Sequence, residues 1–387
     1  MKFEFSKRLE NLPPYLFVEI DKAKRKARQE GRDLIDLGVG DPDLPTPGHI
    51  IEKLCQAAGE PKYQKYALDR GMPELRKAIA DWYKRRFNVD LDPESEILPL
   101  IGSKEGIAHL GLAFVNSGDY CLVPDPCYPP YRSSAVLAEG QFYNMPLLAK
   151  ESFLPDFKEI PAGIKKRSKL MFLNYPNNPT GAVANKEFYQ KVIDFALKYN
   201  TIIACDAAYS EISYDGYKPM SFLELEGAKD AGVEFHSLSK TYNMTGWRIG
   251  WVCGNAGIIS GIAKVKSNID SGIFSALQVA GIEALSGPQG HIQKMCAIYQ
   301  ERRDALCDGL KAMGWNVSRP RAAFYVWVCL PEEYDSQKFS TLLLDKCAIV
   351  ATPGIGFGRY GDGYIRFALT VSKERIEDAL ERIKKRL

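Results

Sequence analysis

Histidine is scarce in this 387-residue chain: His49, His109, His236 and His291 are the four copies, and none has a neighbour at metal-ligand spacing. No metal is expected. The nine cysteines are odd in number and include no Cys-x-x-Cys pair. Most lie in apolar company, as in Ile-Ile-Ala-Cys205 and Trp-Val-Cys253. That usage argues against a disulfide frame or a zinc site and predicts small buried side chains in a reducing cytoplasm. Cys127, between Pro126 and Tyr128, is the one expected not to be inert. An excess of one charge sign is also missing. The formal net charge is +3, spread along the chain, and the basic run Lys384-Lys385-Arg386 reads as a helix end. A nucleic-acid surface is therefore not expected. No run approaches the ~18 apolar residues of a membrane span, and the first eight residues carry charges where a signal peptide is apolar. The reading is cytoplasmic, without membrane contact. A Gly-x-Gly-x-x-Gly nucleotide fingerprint is absent too; Gly354-x-Gly-x-Gly358 lacks the second spacing.

What is present is alternation. Apolar strand-like runs at Glu96–Ile101, Asp119–Val123, Lys169–Asn174, Thr201–Cys205, Val233–Ser237 and Ile249–Cys253 are interleaved with helical patterns such as Lys104–Val115 and Lys186–Tyr199. Near-continuous apolar strands separated by helices predict an α/β domain with a mostly parallel central sheet covered on both faces. Towards the end, 323–330 and 363–369 read as strands, and Ile376, Leu380, Ile383 and Leu387 fall on one helix face. The expected organisation is a large domain over 46–289 and a smaller α+β domain from 1–45 and 290–387, hinged on a long helix around 290–313.

Chemistry-bearing residues recur where these strands end. In Ser237-Leu-Ser239-Lys240, a lysine follows a strand that closes on hydroxylic residues, and Arg248 comes eight positions later. A lysine amine can form a Schiff base with an aldehyde cofactor, and the hydroxyls with the arginine suit a phosphate. Asn174-Tyr-Pro-Asn-Asn178-Pro-Thr-Gly is a tight loop whose Asn178 can donate to a ring oxygen. Asp206 ends an apolar strand, where a carboxylate is costly without a cation such as a protonated pyridine; Tyr209, one helical turn on, can reach the same ring. The Gly102-Ser103-Lys104 turn opens a helix, whose free N–H groups favour phosphate.

Taken in order, these motifs resemble the fold-type I, class I/II aminotransferases that use pyridoxal 5′-phosphate, and the resemblance runs over essentially the whole chain. It implies that Lys240 carries the cofactor and moves the substrate α-proton, with Asp206 at the pyridine nitrogen and Asn178 and Tyr209 at the phenolic oxygen. Ser103, Lys104, Ser237, Ser239 and Arg248 would surround the phosphate, and Tyr128 would stack on the ring. Tyr66, in Tyr-x-x-x-x-Gly-x-x-x-Leu-Arg, matches the tyrosine that reaches the phosphate of the neighbouring subunit, so a homodimer is implied. Arg366 in Tyr-Ile-Arg-Phe-Ala-Leu matches the clamp for the substrate α-carboxylate. Within the family, Leu12-Pro-Pro-Tyr15, Asp36-Leu-Gly-Val-Gly40 and Lys266-Ser-Asn-Ile-Asp-Ser-Gly-Ile-Phe resemble the bacterial LL-diaminopimelate aminotransferases. That likeness implies a substrate pocket including Tyr15, Gly40, Lys104, Tyr128, Asn178 and Arg366. The implied reaction is transfer of an amino group from LL-2,6-diaminopimelate to 2-oxoglutarate, in lysine biosynthesis. An aspartate or alanine aminotransferase, or a C–S lyase of the same fold, is the alternative.

Overall fold

A computed structural model describes residues 3–12, 24, 25, 27, 29–67 and 70–387. After a two-residue strand β1 (Ile35–Asp36), the chain builds a seven-stranded sheet from β2 (Ile97–Leu100), β3 (Tyr120–Asp125), β4 (Gln141–Pro146), β5 (Ser168–Asn174), β6 (Ile202–Asp206), β7 (Gly232–Ser237) and β8 (Gly250–Gly254). The spatial order is β2-β8-β7-β6-β5-β3-β4, and β8 runs antiparallel to both its neighbours while the other pairings are parallel. Every strand expected between 96 and 253 forms. β4 was not expected: Gln-Phe-Tyr-Asn-Met-Pro has no clean apolar run, because it lies at the sheet edge with its first residues exposed.

Successive residues of the central strands serve opposite faces. Leu170 and Phe172 pack with Leu110, Val123 and Ile262 on one side. Met171 and Leu173 pack with Phe188, Val192 and Tyr83 on the other. This double coverage is why the strands read as unbroken apolar runs, and each such side chain contributes roughly 1.5–3 kcal/mol by leaving water. The helix Lys186–Tyr199 shows how the cover is delimited. Asn185 Oδ1 accepts the Phe188 N–H at 2.9 Å at its start, and Asn200 adopts a left-handed conformation (φ 54°) at its end.

A second core forms around the antiparallel sheet β11 (Thr352–Pro353), β12 (Tyr364–Ala368) and β9 (Tyr325–Cys329), in that order. β1 pairs in parallel with β10 (Ile349–Val350), so an N-terminal piece completes this unit. The helix Gly290–Ala312 packs here through Met295, Tyr299 and Leu306, and the final helix Lys373–Arg386 through Ile376, Ala379 and Ile383. Leu387, expected on the buried face of that helix, is exposed: it caps the helix end beyond the last packed turn.

Between the two cores runs the segment 38–43. Arg302 of the long helix holds it with two bonds to Asp43, at 2.7 and 2.8 Å, and a third to the Leu369 carbonyl at 3.0 Å. Arg302 is buried and Asp43 partly so. Arg302→Leu is expected to cost roughly 3 kcal/mol, the low end for breaking a buried pair because Asp43 keeps some contact with water. Urea unfolding measures it, and an unchanged midpoint would show that the pair does not anchor the segment.

Candidate active site

Strands β5, β6 and β7 lie side by side and end at one edge, with Asn174 in register with Asp206 and Asp206 with Phe235. The carboxyl edge of such a sheet is where α/β folds place ligands. A cavity of about 470 Å³ opens there. Of the residues singled out in the sequence, Gly40, Ser103, Lys104, Tyr128, Asn178, Asp206, Tyr209, Ser237, Ser239, Lys240, Arg248 and Arg366 all line it. Tyr66 does not; it is 92% exposed on the surface. Tyr15 lies outside the described residues.

The loop after β5 is pinned by its own asparagines. Asn174 donates to the Asp206 carbonyl at 2.8 Å and accepts the Asn178 N–H at 2.7 Å. Asn177 Oδ1 accepts both the N–H and the hydroxyl of Thr180, at 3.0 and 2.7 Å. Asn178 is thereby delivered to Arg366, whose Nη1 donates to its Oδ1 at 2.7 Å. Arg366 Nη2 donates to the Gly38 carbonyl at 2.6 Å, and its Nε is buried without a hydrogen-bond partner among the described residues. The guanidinium sits over the Tyr325 ring at 4.2 Å and the Phe357 ring at 4.7 Å. Arg366 is 1% exposed, so a solvated strand position is excluded.

Asp206 is buried at the end of β6. Tyr131 donates to its Oδ2 at 2.7 Å, and the Ala208 N–H to its Oδ1 at 3.3 Å. Burial pushes its pKa up, and the Tyr131 bond opposes that. The chain turns after Ala207 instead of entering a helix, so Tyr209 reaches the cavity from a turn and not from a helical one; its hydroxyl meets that of Tyr325 at 2.9 Å.

Lys240 lies in the short helix Leu238–Thr241, which Ser237 caps through the Ser239 N–H at 3.1 Å. Its amine donates to the Gly40 carbonyl at 2.8 Å. Burial lowers its pKa to about 8; Asp41 counters this, while Arg366 and Arg248 add to it. Gly40 must be glycine, since a Cβ there would stand 2.0 Å from the Tyr325 hydroxyl.

At the other end of the cavity, the helix Ser103–Phe114 begins without a side-chain cap. Gly102 precedes it at φ +77°, and a Cβ there would stand 2.1 Å from Arg248 Nη2. Arg248 itself holds a left-handed conformation (φ 58°), fixed by its Nη1 bond to the Thr245 carbonyl at 2.9 Å. A strained residue beside a cavity is a mark of a functional position.

Several lining residues escaped the sequence reading. Asn174 closes a strand and Tyr325 lies in 323–330, both runs singled out above, whereas Tyr131, in the helix Pro130–Leu137, gave no strand-end signal. Lys24, 2.6 Å from Asp36, gave no local signal. Cys127, expected not to be inert, is corrected: it is 1% exposed and burial pushes its thiol to about 12, so no thiolate forms near neutrality. Cys55 departs the other way and is exposed.

The shifted amine gives a direct prediction. In the protein freed of small ligands, reductive methylation of Lys240 should rise with pH through an inflection near 8, because the reactive neutral amine appears above its pKa. An inflection near the ordinary lysine value of about 10.4 would contradict the burial argument.

The family model for aminotransferase class I and II matches residues 32–383. The chain is 56% identical over 385 residues to an LL-diaminopimelate aminotransferase of Syntrophobacter fumaroxidans, covering 100% of this chain and 99% of that protein. To the enzyme of the same name from Halothermothrix orenii it is 54% identical over 381 residues, 98% of each chain. The solved structure of substrate-bound BacF from Bacillus subtilis superposes with a TM-score of 0.95 at 40% identity, covering 100% of this chain and 98% of that one. With the family model spanning nearly the whole chain and every strand-end motif gathered at one cavity, this protein belongs to the class I and II aminotransferases.

Proposed function

We propose that the protein is a pyridoxal 5′-phosphate-dependent LL-diaminopimelate aminotransferase that uses 2-oxoglutarate as amino acceptor, in lysine biosynthesis. The observation that carries the cofactor is a charge pattern. A buried carboxylate, Asp206, has no cation in hydrogen-bond contact among the described residues. An uncapped helix start beside Arg248, and a lysine with its pKa near 8, share its cavity. A planar cationic ring with a phosphate at one end and an aldehyde between satisfies all three. When bound, pyridoxal phosphate supplies the electrophilic carbon and the electron sink.

The chain's own residues do the rest. With its pKa lowered to about 8, Lys240 has a far larger neutral fraction near pH 7 than an ordinary lysine, so it can attack a carbonyl and later hold or move a proton at the substrate α-carbon. Asp206, whose charged form burial disfavours and the Tyr131 bond favours, would hold the pyridine nitrogen protonated. Asn178 already uses its amide oxygen on Arg366, which leaves its N–H groups as its donors toward the ring oxygen that Tyr209 also serves. Ser103, Lys104, Ser237, Ser239 and Arg248 would take the phosphate, and Tyr128 the ring face. Arg366 would exchange its bonds to Asn178 and Gly38 for a two-pronged grip on the α-carboxylate.

The names of the relatives support the donor. A homodimer is supported by Tyr66, a large aromatic exposed at 92% that matches a cross-subunit residue. The division into 46–289 and 1–45 with 290–387 is supported by the separate cores, and cytoplasmic residence by the cysteine usage. Among the described residues no helix is long and apolar enough to cross a membrane.

Measuring kcat/KM for LL- and meso-diaminopimelate, aspartate and alanine, each with 2-oxoglutarate, tests the donor. The LL isomer should lead. Inverting its distal carbon strands buried polar groups at roughly 1–3 kcal/mol each, so meso-diaminopimelate should be at least about tenfold poorer. Aspartate exceeding LL-diaminopimelate tenfold would reject this donor and leave the cofactor assignment standing.

A further inference from the structure

Lys266 closes the helix Ala256–Lys266 and is only 1% exposed, although lysine is seldom fully buried unless paired. Its ammonium donates to Glu105 Oε1 at 2.9 Å and to Asp270 Oδ1 at 2.7 Å. Asp270 Oδ1 also accepts the Gly272 N–H at 2.7 Å, so the pairing orders the segment beyond the helix. Glu105 is the third residue of the helix Ser103–Phe114, and its other oxygen accepts the Ile101 N–H at 2.5 Å. An acid at this position commonly reaches back to the N-cap N–H. Here the N-cap Gly102 N–H is already taken by the Leu100 carbonyl at 2.7 Å, and Glu105 reaches one residue further back.

The consequence is a turn fixed from behind. Leu100 and Glu105 satisfy the N–H groups of Gly102 and Ile101, while no side chain caps the helix on the side where Ser103 and Lys104 line the cavity. Burial pushes the Glu105 pKa up and Lys266 opposes it, so a carboxylate here needs a cation against it to stay charged and in place. His109, 3.4 Å away on the same helix, does not supply one: burial lowers its pKa, so it is neutral at pH 7. The cation is Lys266.

We propose that Lys266 is a positioning residue for the cofactor phosphate, holding the 101–104 turn, through Glu105, in the form that presents its free N–H groups to that phosphate. The inference rests on the cofactor reading above. It gives Lys266 and Glu105 a role that no cavity-lining position reveals, since neither lines the cavity.

The test compares pyridoxal 5′-phosphate with pyridoxal, which lacks the phosphate. Apoprotein of the wild type, Lys266→Met, Glu105→Leu and Lys266→Met/Glu105→Gln is titrated with each, following tryptophan fluorescence, and apoprotein stability is measured by urea unfolding. Lys266→Met should reduce the preference for the phosphorylated form at least tenfold. Glu105→Leu, which removes the acceptor without stranding a carboxylate, should do the same even if Lys266→Met fails to fold. The double variant should return to within threefold of wild type, because the introduced amide still accepts from Ile101 without needing a countercharge, and Asp270, which loses the same cation, bonds the Gly272 N–H and not the 101–104 turn. Equal losses for both ligands, or lower stability with an unchanged preference, would make the cluster merely structural and overturn the proposal. A double variant that does not recover would overturn the route through Glu105. Wild-type protein that binds neither ligand would instead remove the cofactor reading itself.

Discussion

Withdrawing one amine from water is the constraint around which this site is arranged. Lys240 Nζ reaches a single backbone carbonyl, that of Gly40, and lies between two guanidinium groups and two carboxylates that pull its pKa in opposite directions. Burial wins, and the amine rests near pH 8. An exposed lysine would be protonated and unreactive at neutrality; one buried without polar company would not be held in place. The fold supplies the intermediate case by closing the segment 38–43 over the carboxyl edge of the large sheet.

That closure ties the two cores together through backbone carbonyls. Gly38 accepts from Arg366 and from Thr352, at 2.6 and 2.8 Å; Val39 accepts from Thr370 at 2.8 Å; Gly40 accepts from Lys240. Arg366 and Lys240 therefore share one strip of chain, and Arg302 anchors its far end at Asp43. A ligand that draws Arg366 away from Gly38 acts on the same strip that holds the Lys240 amine. Only one residue, Val39, separates the two carbonyls concerned.

The sequence makes the strand ends legible because a parallel sheet covered on both faces leaves little doubt where apolar runs stop. A charged or amide side chain at each stop then stands out: Asn174, Asp206, and Lys240 after Ser237. Legibility fails where the cause is long-range. β4 hides because an edge strand has no need of an apolar face. Tyr131 and Tyr325 meet Asp206 and Tyr209 across 75 and 116 residues, separations that no local pattern encodes. Glu105 directly follows the Gly102-Ser103-Lys104 turn and Lys266 opens a quoted motif, yet their pairing across 161 residues emerges only from the fold. Cys127 shows the converse error, in which a suggestive sequence neighbourhood proves to be interior packing.

The central claim is that Lys240 is the residue to which an aldehyde cofactor attaches. Incubating the protein with pyridoxal 5′-phosphate, reducing with borohydride and mapping the labelled peptide tests it most directly. The account predicts one stable adduct per chain, on Lys240, and none after Lys240→Ala. A label on Lys24 or Lys104, the other lysines lining the cavity, or an adduct that survives Lys240→Ala, would contradict it.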